Sequence, residues 1–485
     1  MVRIVLQLGV QVALARILGP QVYGLFALGV LVIGVSSYFA DFGLAYGLIQ
    51  KQDTNDDDIR FVWTWQCLLG LLVAAAVWLS AGALASVFNK PEVQPVFAWL
   101  SLVCLLNALT APSTNLLKKA LDYKALQIAQ LGAYLAGYLC VGVPLAILGY
   151  GVQALVAAML VNALANLAMQ YAQARHALGI KFTKPGGAKM LRYGAIVLLT
   201  NLVNWLLTSL DKLMVGRLFP AQTVGAYTTA FNLVNSPASA AYGNLQSVVF
   251  SASARLQGDA AALKAVFLRL LAGVFVTAFP LFAVLGVGSE LGIAAVYGAR
   301  WAEAAPFLRV FAFAMPCLLV WGISTPVLWN TGRQTLEFRL QLPMLGIWCL
   351  VLLAVASEPG ATVALAAGVL FAMRAAVMAI CAARILRVGA VEAGRAIAGG
   401  LLLTALMVAG SFALLPLLAR LPGNAQLHLC LLLAGAGATY LLALLALGPL
   451  LIDRALASTL RGAAARLPPP VARAVRAAAR EGSCP

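Results

Sequence analysis

Residues 15–26 read ARILGPQVYGLF, and residues 216–227, displaced by 201 positions, read GRLFPAQTVGAY. Arg16 meets Arg217, Gly24 meets Gly225 and Phe26 meets Tyr227. Each copy lies where one long apolar run gives way to the next, so the chain reads as two related halves. Taken alone, the first copy could close a secretory signal, since Arg3, an apolar run and Ala13-Leu14-Ala15 imitate one with its cleavage site. The second copy lies deep in the chain and cannot be a signal. The first is therefore read as a retained helix end.

Composition agrees with helices in lipid. Of the 485 residues, 62% are hydrophobic and 10% charged, whereas soluble domains carry about a quarter charged residues. This predicts an all-α integral membrane protein. A window of about 19 residues gives fourteen spans near 2–18, 22–48, 62–88, 95–116, 126–148, 151–173, 191–219, 225–250, 265–288, 304–329, 341–357, 361–383, 396–419 and 426–452. The longest polar segment is the tail after residue 452, so no loop could hold a soluble catalytic domain. The protein is expected not to be an enzyme.

The net charge of +17 is spread over alternate loops. With the N-terminus inside, one side holds Lys118, Lys119 and Lys124; Arg175, Lys181, Lys184, Lys189 and Arg192; Arg255, Lys264 and Arg269; Arg333 and Arg339; Arg384, Arg387 and Arg395. Together with Arg3, Lys51, Arg60 and six arginines of the tail, about 25 of the 33 basic residues fall there. Both termini are thus expected in the cytoplasm, and no nucleic-acid partner is expected. Seven of the eight cysteines sit in apolar segments without CxxC spacing, and the two histidines stand alone, so neither a metal nor a cofactor is expected.

Polar stripes at helical spacing report helix faces turned away from lipid. The seventh segment carries Asn201, Asn204, Thr208 and Asp211; the eighth Asn232, Asn235, Ser239, Gly243 and Gln246. Similar stripes mark the fourth (Asn107, Thr110, Thr114), fifth (Gln127, Gln130, Tyr134, Tyr138) and sixth (Asn162, Asn166, Gln170, Gln173). Each is either interhelical glue or the wall of a wet cavity. Asp211, Lys212 and Arg374 lie well inside their segments, where a charge costs about 2.5–3.5 kcal/mol. Adjacent side chains do not face each other on a helix, which counts against mutual neutralisation of Asp211 and Lys212. Arg16 and Arg217 stand near helix C-termini and could snorkel instead. Asp41 marks the inner end of the second segment.

The stretches ALARILGPQVYGLFALG, ADFGLAYGLIQKQD and DKLMVGRLFPAQTVGAYTTAFNL resemble the Wzx-type oligosaccharide flippases and polysaccharide exporters of the multidrug/oligosaccharidyl-lipid/polysaccharide superfamily. The resemblance covers residues 4 to about 260; beyond, only helix count and loop rhythm agree. It implies two pseudo-symmetric six-helix lobes around a central cationic cavity, with two further C-terminal helices. The expected boundaries are 1–180, 181–388 and 389–452, followed by a basic cytoplasmic tail, 453–485. The implied substrate is an undecaprenyl-diphosphate-linked oligosaccharide for cell-surface polysaccharide, carried across the bacterial inner membrane by alternating access. Implied partners are that lipid, membrane lipids, a polymerase or ligase of the same pathway and a coupling ion, proton or sodium. Arg16, Lys212, Arg217 and Arg374 are expected to bind the diphosphate. Asp41, Asn201, Asn204, Thr208, Asp211, Asn232 and Asn235 are expected to line the cavity or couple transport. Relatives usually have a polar stretch before the first helix, so a truncated start is expected here. A multidrug antiporter of the same fold and a membrane-embedded glycan polymerase or ligase are the alternatives. The first would favour acidic residues in the cavity, the second a long external loop.

Overall fold

The computed structural model describes residues 2–42, 55–183, 187–256 and 259–451. The basic tail and the end of the second predicted segment lie outside these residues.

The chain runs through α1 (Val2–Asp41), α2 (Asp56–Val87), α3 (Gln94–Lys119), α4 (Tyr123–Tyr134), a π-helical stretch (Leu135–Gly142), α5 (Val143–Ile147), α6 (Val152–Gln173), α7 (Gly187–Leu218) and α8 (Ala221–Arg255). It continues through α9 (Ala260–Val287), α10 (Ser289–Val296), α11 (Ala304–Ala314), α12 (Pro316–Asn330), α13 (Gln334–Ala354), α14 (Gly360–Ile385), α15 (Ala390–Leu418) and α16 (Ala425–Leu451). Eleven stretches among the described residues are long and apolar enough to cross a membrane, with α1 counted once and Tyr123–Ile147 and Ala304–Asn330 each forming one span.

α1 is two spans. Gly19 has φ 77° and ψ 174°, a conformation open to glycine and costly for other residues, and Pro20 follows with a ring suited to a helix's first turn. The Tyr23 hydroxyl donates to the Gln11 carbonyl at 3.1 Å. Along a straight helix twelve residues rise about 18 Å, beyond a tyrosine's reach, so the chain folds back at Gly19. Val10 and Leu14 on one arm pack with Val22, Tyr23 and Phe26 on the other. The predicted break between the first two spans is where sequence placed it, and the fourteen predicted spans are all present as helix where described.

The chain divides into two compact units, Met1–Thr228 and Thr229–Pro485. In the first, α3 packs on α1, α2 and α6 around Leu14, Leu28, Phe61 and Phe97. In the second, α9 packs on α15 and α12 on α14, with Phe267, Trp301, Phe311 and Trp348 buried. Leu79, Leu350 and Leu353 stand out with most of their surface exposed. On helices whose backbone bonds are satisfied internally, such residues face hydrocarbon.

Candidate functional site

The deepest charged cluster of the first unit is built on α7. Asp211 is buried and takes the Tyr227 hydroxyl on Oδ2 at 2.6 Å. Lys212 Nζ lies 3.6 Å from Asp211 Oδ1 and donates to the Thr208 carbonyl at 2.7 Å. The expectation that neighbours on a helix would not neutralise each other is corrected here. The long lysine stem curls back one turn toward Thr208, and its ammonium passes within reach of the preceding carboxylate. The Thr208 hydroxyl donates to the Asn204 carbonyl at 3.0 Å, and Asn201 and Asn204 are half-buried on the same helix.

Tyr227 escaped the sequence reading as a site residue, although the repeat carried its signal. The 201-residue shift sets Asp211 over Val10 and Tyr227 over Phe26. In the first copy Val10 belongs to an apolar cluster against which Phe26 packs; in the second, the same two positions carry a hydrogen-bonded acid and phenol. A coordinated change from apolar to polar at paired positions marks the place where the halves differ chemically.

Arg16 and Arg217 are both exposed, unlike Lys212. Beside Arg217, Lys90 Nζ donates to the Gly216 carbonyl at 2.6 Å and to the Phe88 carbonyl at 3.2 Å. It caps the C-terminal end of α7, where a cation offsets the partial negative charge of unpaired carbonyls. Burial pushes the Lys90 amine below its ordinary value. At the other end of the unit, Asp41 accepts from Gln66 Nε2 at 3.0 Å, and Gln66 is fully buried.

Part of the polar striping is interhelical bonding. The Thr114 hydroxyl of α3 donates to Gln170 Oε1 of α6 at 2.5 Å, and Gln170 Nε2 donates to Asn166 Oδ1 at 2.8 Å. The Tyr134 hydroxyl reaches the Gln7 carbonyl at 3.1 Å. The α8 stripe differs: Asn232, Ser239 and Gly243 are exposed and Asn235 half-buried.

The second unit holds a cluster around Arg374, which is 4% exposed. Its guanidinium lies over the Trp321 ring, 4.6 Å from the centroid, and Trp321 in turn packs on Tyr242 at 5.6 Å. Its Nη2 is buried without a hydrogen-bond partner. Glu337, also buried, accepts from the Trp329 indole N–H and from Gln341 Nε2 at 3.0 Å. Sequence reasoning found Arg374 and missed Glu337, because the eleventh span was started at residue 341 whereas α13 begins at Gln334. That error left a buried acid in a nominal loop. Of the four predicted cations, Arg16, Lys212 and Arg217 belong to the first unit and Arg374 to the second. No group of three or more metal-ligating side chains occurs among the described residues.

The chain as a whole is similar to known proteins. The chain is 28% identical over 305 residues to the lipopolysaccharide biosynthesis protein WzxC of Escherichia coli K12, covering 61% of each chain. It is 24% identical to the teichuronic acid biosynthesis protein TuaB of Bacillus subtilis, covering 65% of each. It is 22% identical to the succinoglycan biosynthesis transport protein ExoT of Rhizobium meliloti, covering 67% of this chain and 66% of the relative. The matches thus span a little under two thirds of the first two relatives' lengths. The fold is that of the lipid II flippase MurJ, at a TM-score of 0.72, 12% identity and coverage of 90% of this chain and 95% of that one. A multidrug resistance MATE family transporter of the MOP superfamily follows at 0.61, 13% identity and coverage of 79% and 94%. The profile of the family described as polysaccharide biosynthesis protein matches residues 13–306, more than half of the sequence, and the chain belongs to that family.

Proposed function

We propose that this protein is a flippase that carries an undecaprenyl-diphosphate-linked oligosaccharide across the bacterial inner membrane by alternating access, without catalysing a reaction. The observation that carries this reading is family membership with relatives named for polysaccharide biosynthesis and transport. Lobes at 1–180 and 181–388 work around the substrate, both termini lie in the cytoplasm, and a proton or sodium ion drives the cycle. Arg16, Lys212, Arg217 and Arg374 attract the diphosphate, since guanidinium binds phosphate oxygens in pairs. The amides of α7 and α8 offer hydrogen bonds to sugar hydroxyls. Asp41 and Asp211 take part in coupling.

The test is translocation in proteoliposomes. An undecaprenyl-diphosphate oligosaccharide labelled on its sugar is placed in both leaflets, and its loss from the outer face to a membrane-impermeant glycosidase is followed. Protein-dependent acceleration supports the reading. Rates equal to those of empty liposomes, for lipid-linked glycans of every composition supplied, overturn it.

A further inference from the structure

One helix of the second unit is carved out along a single face. Ala375, Ala379 and Ala383 of α14 face Phe267, Phe275 and Phe279 of α9, and between them lies a cavity of about 310 Å³. The alanines leave the space that larger side chains would fill, and Phe275 stacks on Phe279 at 4.1 Å to form the opposite wall. The lining is hydrocarbon apart from the Cys317 thiol. The groove opens to the surface beside Ile380, which is 52% exposed. Water does not settle in an apolar cavity, and within a bilayer the material available to fill it is a lipid chain.

The end of this groove is basic. Arg269 follows the lining residue Phe267 by two positions, Arg384 follows Ala383 directly, and Arg395 stands between the lining residues Ala393 and Ile397. All three, with Arg387 on the α14–α15 turn, are exposed. Of the acids at this end, Asp259 caps α9 by accepting from the Ala262 amide at 2.9 Å, and Glu392 is held by Lys264 Nζ at 2.6 Å, whose ammonium also donates to the Arg387 carbonyl at 3.2 Å. Lys264 therefore ties α9 to the α14–α15 turn and neutralises Glu392, while the arginines face outward with their charge intact. A slot for one hydrocarbon chain ends at a set of guanidinium groups, the donors best suited to a phosphate diester.

We propose that this groove is a resident site for an anionic phospholipid, one acyl chain lying between α9 and α14 and the headgroup phosphate resting on Arg384 and Arg395. Anionic lipids concentrate at the cytoplasmic leaflet, the side to which the loop charges assign this end of the helices. The bound chain fills a gap between helices that carry the second unit's packing, so lipid composition tunes that unit's stability.

The full-length protein in mild detergent is titrated with phosphatidylglycerol or phosphatidylcholine, and bound lipid is counted by native mass spectrometry. Wild type is expected to hold one phosphatidylglycerol about tenfold more tightly than phosphatidylcholine. Ala375→Leu with Ala379→Leu fills the groove and should abolish retention of that molecule. Arg384→Gln with Arg395→Gln leaves the groove open and should equalise the two lipids, so the proposal stays testable if the leucine variant fails to fold. Equal retention of both lipids by wild type, or an unchanged preference in the arginine variant, overturns the proposal. So does recovery of a polyprenyl phosphate from the groove in place of a phospholipid.

Discussion

Gly24 and Gly225 press against each other at the point where the two repeats meet. A methyl group on Gly24 would lie 1.7 Å from the Ala221 carbonyl oxygen, and one on Gly225 would lie 1.9 Å from the Pro20 carbonyl oxygen. Residues 20 and 221 are themselves 201 apart, so each glycine meets the partner of the residue that opens its own helix. Within the first unit the two contacts are therefore reciprocal.

The contact predicts a matched pair of defects. Gly24→Ala and Gly225→Ala each force a backbone shift, because the obstacle is a carbonyl group and cannot rotate away. Each should lose about 3 kcal/mol, the upper part of the usual range for overpacking, visible as lower thermal unfolding temperature in detergent. Gly243→Ala serves as control, since a methyl group there meets nothing within 4 Å. Equal stability of all three variants would remove the glycine contact from the fold's determinants.

The segment joining the sixth and seventh spans is strapped to α2. The Thr64 hydroxyl donates to the Gly179 carbonyl at 3.2 Å and accepts from the Lys181 amide at 2.8 Å, and the Trp65 indole donates to the Phe182 carbonyl at 3.2 Å. Thr64→Val with Trp65→Phe should expose residues 174–183 to trypsin at a several-fold faster rate. Asp57→Asn should change the rate little, although Asp57 lies 2.5 Å from Lys181. That pair is exposed, and exposed ion pairs contribute about 0–1 kcal/mol.

Arg374 and Trp321 predict a failure of conservative replacement. Arg374→Lys keeps the charge and loses the planar stack on Trp321, worth up to about 2 kcal/mol when desolvated. Translocation by the lysine variant is expected to fall about tenfold with protein level unchanged. Glu337→Gln should disturb the same step, since the carboxylate sits among Trp329, Gln341 and the Arg374 field. Wild-type rates in both variants would make this cluster a packing element alone.

The helical plan was legible because lipid imposes it: each span must be long and apolar, and the turn at Gly19 and Pro20 is written in residue types with narrow conformational preferences. The repeat register was legible too, since Gly24 and Gly225 have to be glycine for backbones to touch. Side-chain partnerships were not. The Asp211–Lys212 contact depends on how a flexible stem curls, and periodicity carries no information about that. Glu337 was hidden by a boundary error of seven residues. The stripe joining Thr114 to Gln170 could be told from a cavity wall only once α3 and α6 were seen side by side.

The sharpest test uses one half of the chain to rewrite the other. Asp211, Lys212 and Tyr227 correspond to Val10, Gln11 and Phe26, and in the first copy Val10 and Phe26 both pack into one apolar cluster. Asp211→Val alone removes the carboxylate from a mostly buried ammonium, whose side chain is 12% exposed, and should cost about 3–5 kcal/mol. Adding Lys212→Gln and Tyr227→Phe removes the stranded charge and the hydroxyl together, and should recover most of that loss, since no charge is then left buried without its partner. The triple variant is therefore expected to unfold near the wild-type temperature and to have lost translocation of the lipid-linked sugar. Full transport by a stable triple variant would show that the polar cluster of α7 serves folding only. A triple variant as unstable as Asp211→Val would show that the two copies do not share the packing that their sequences share.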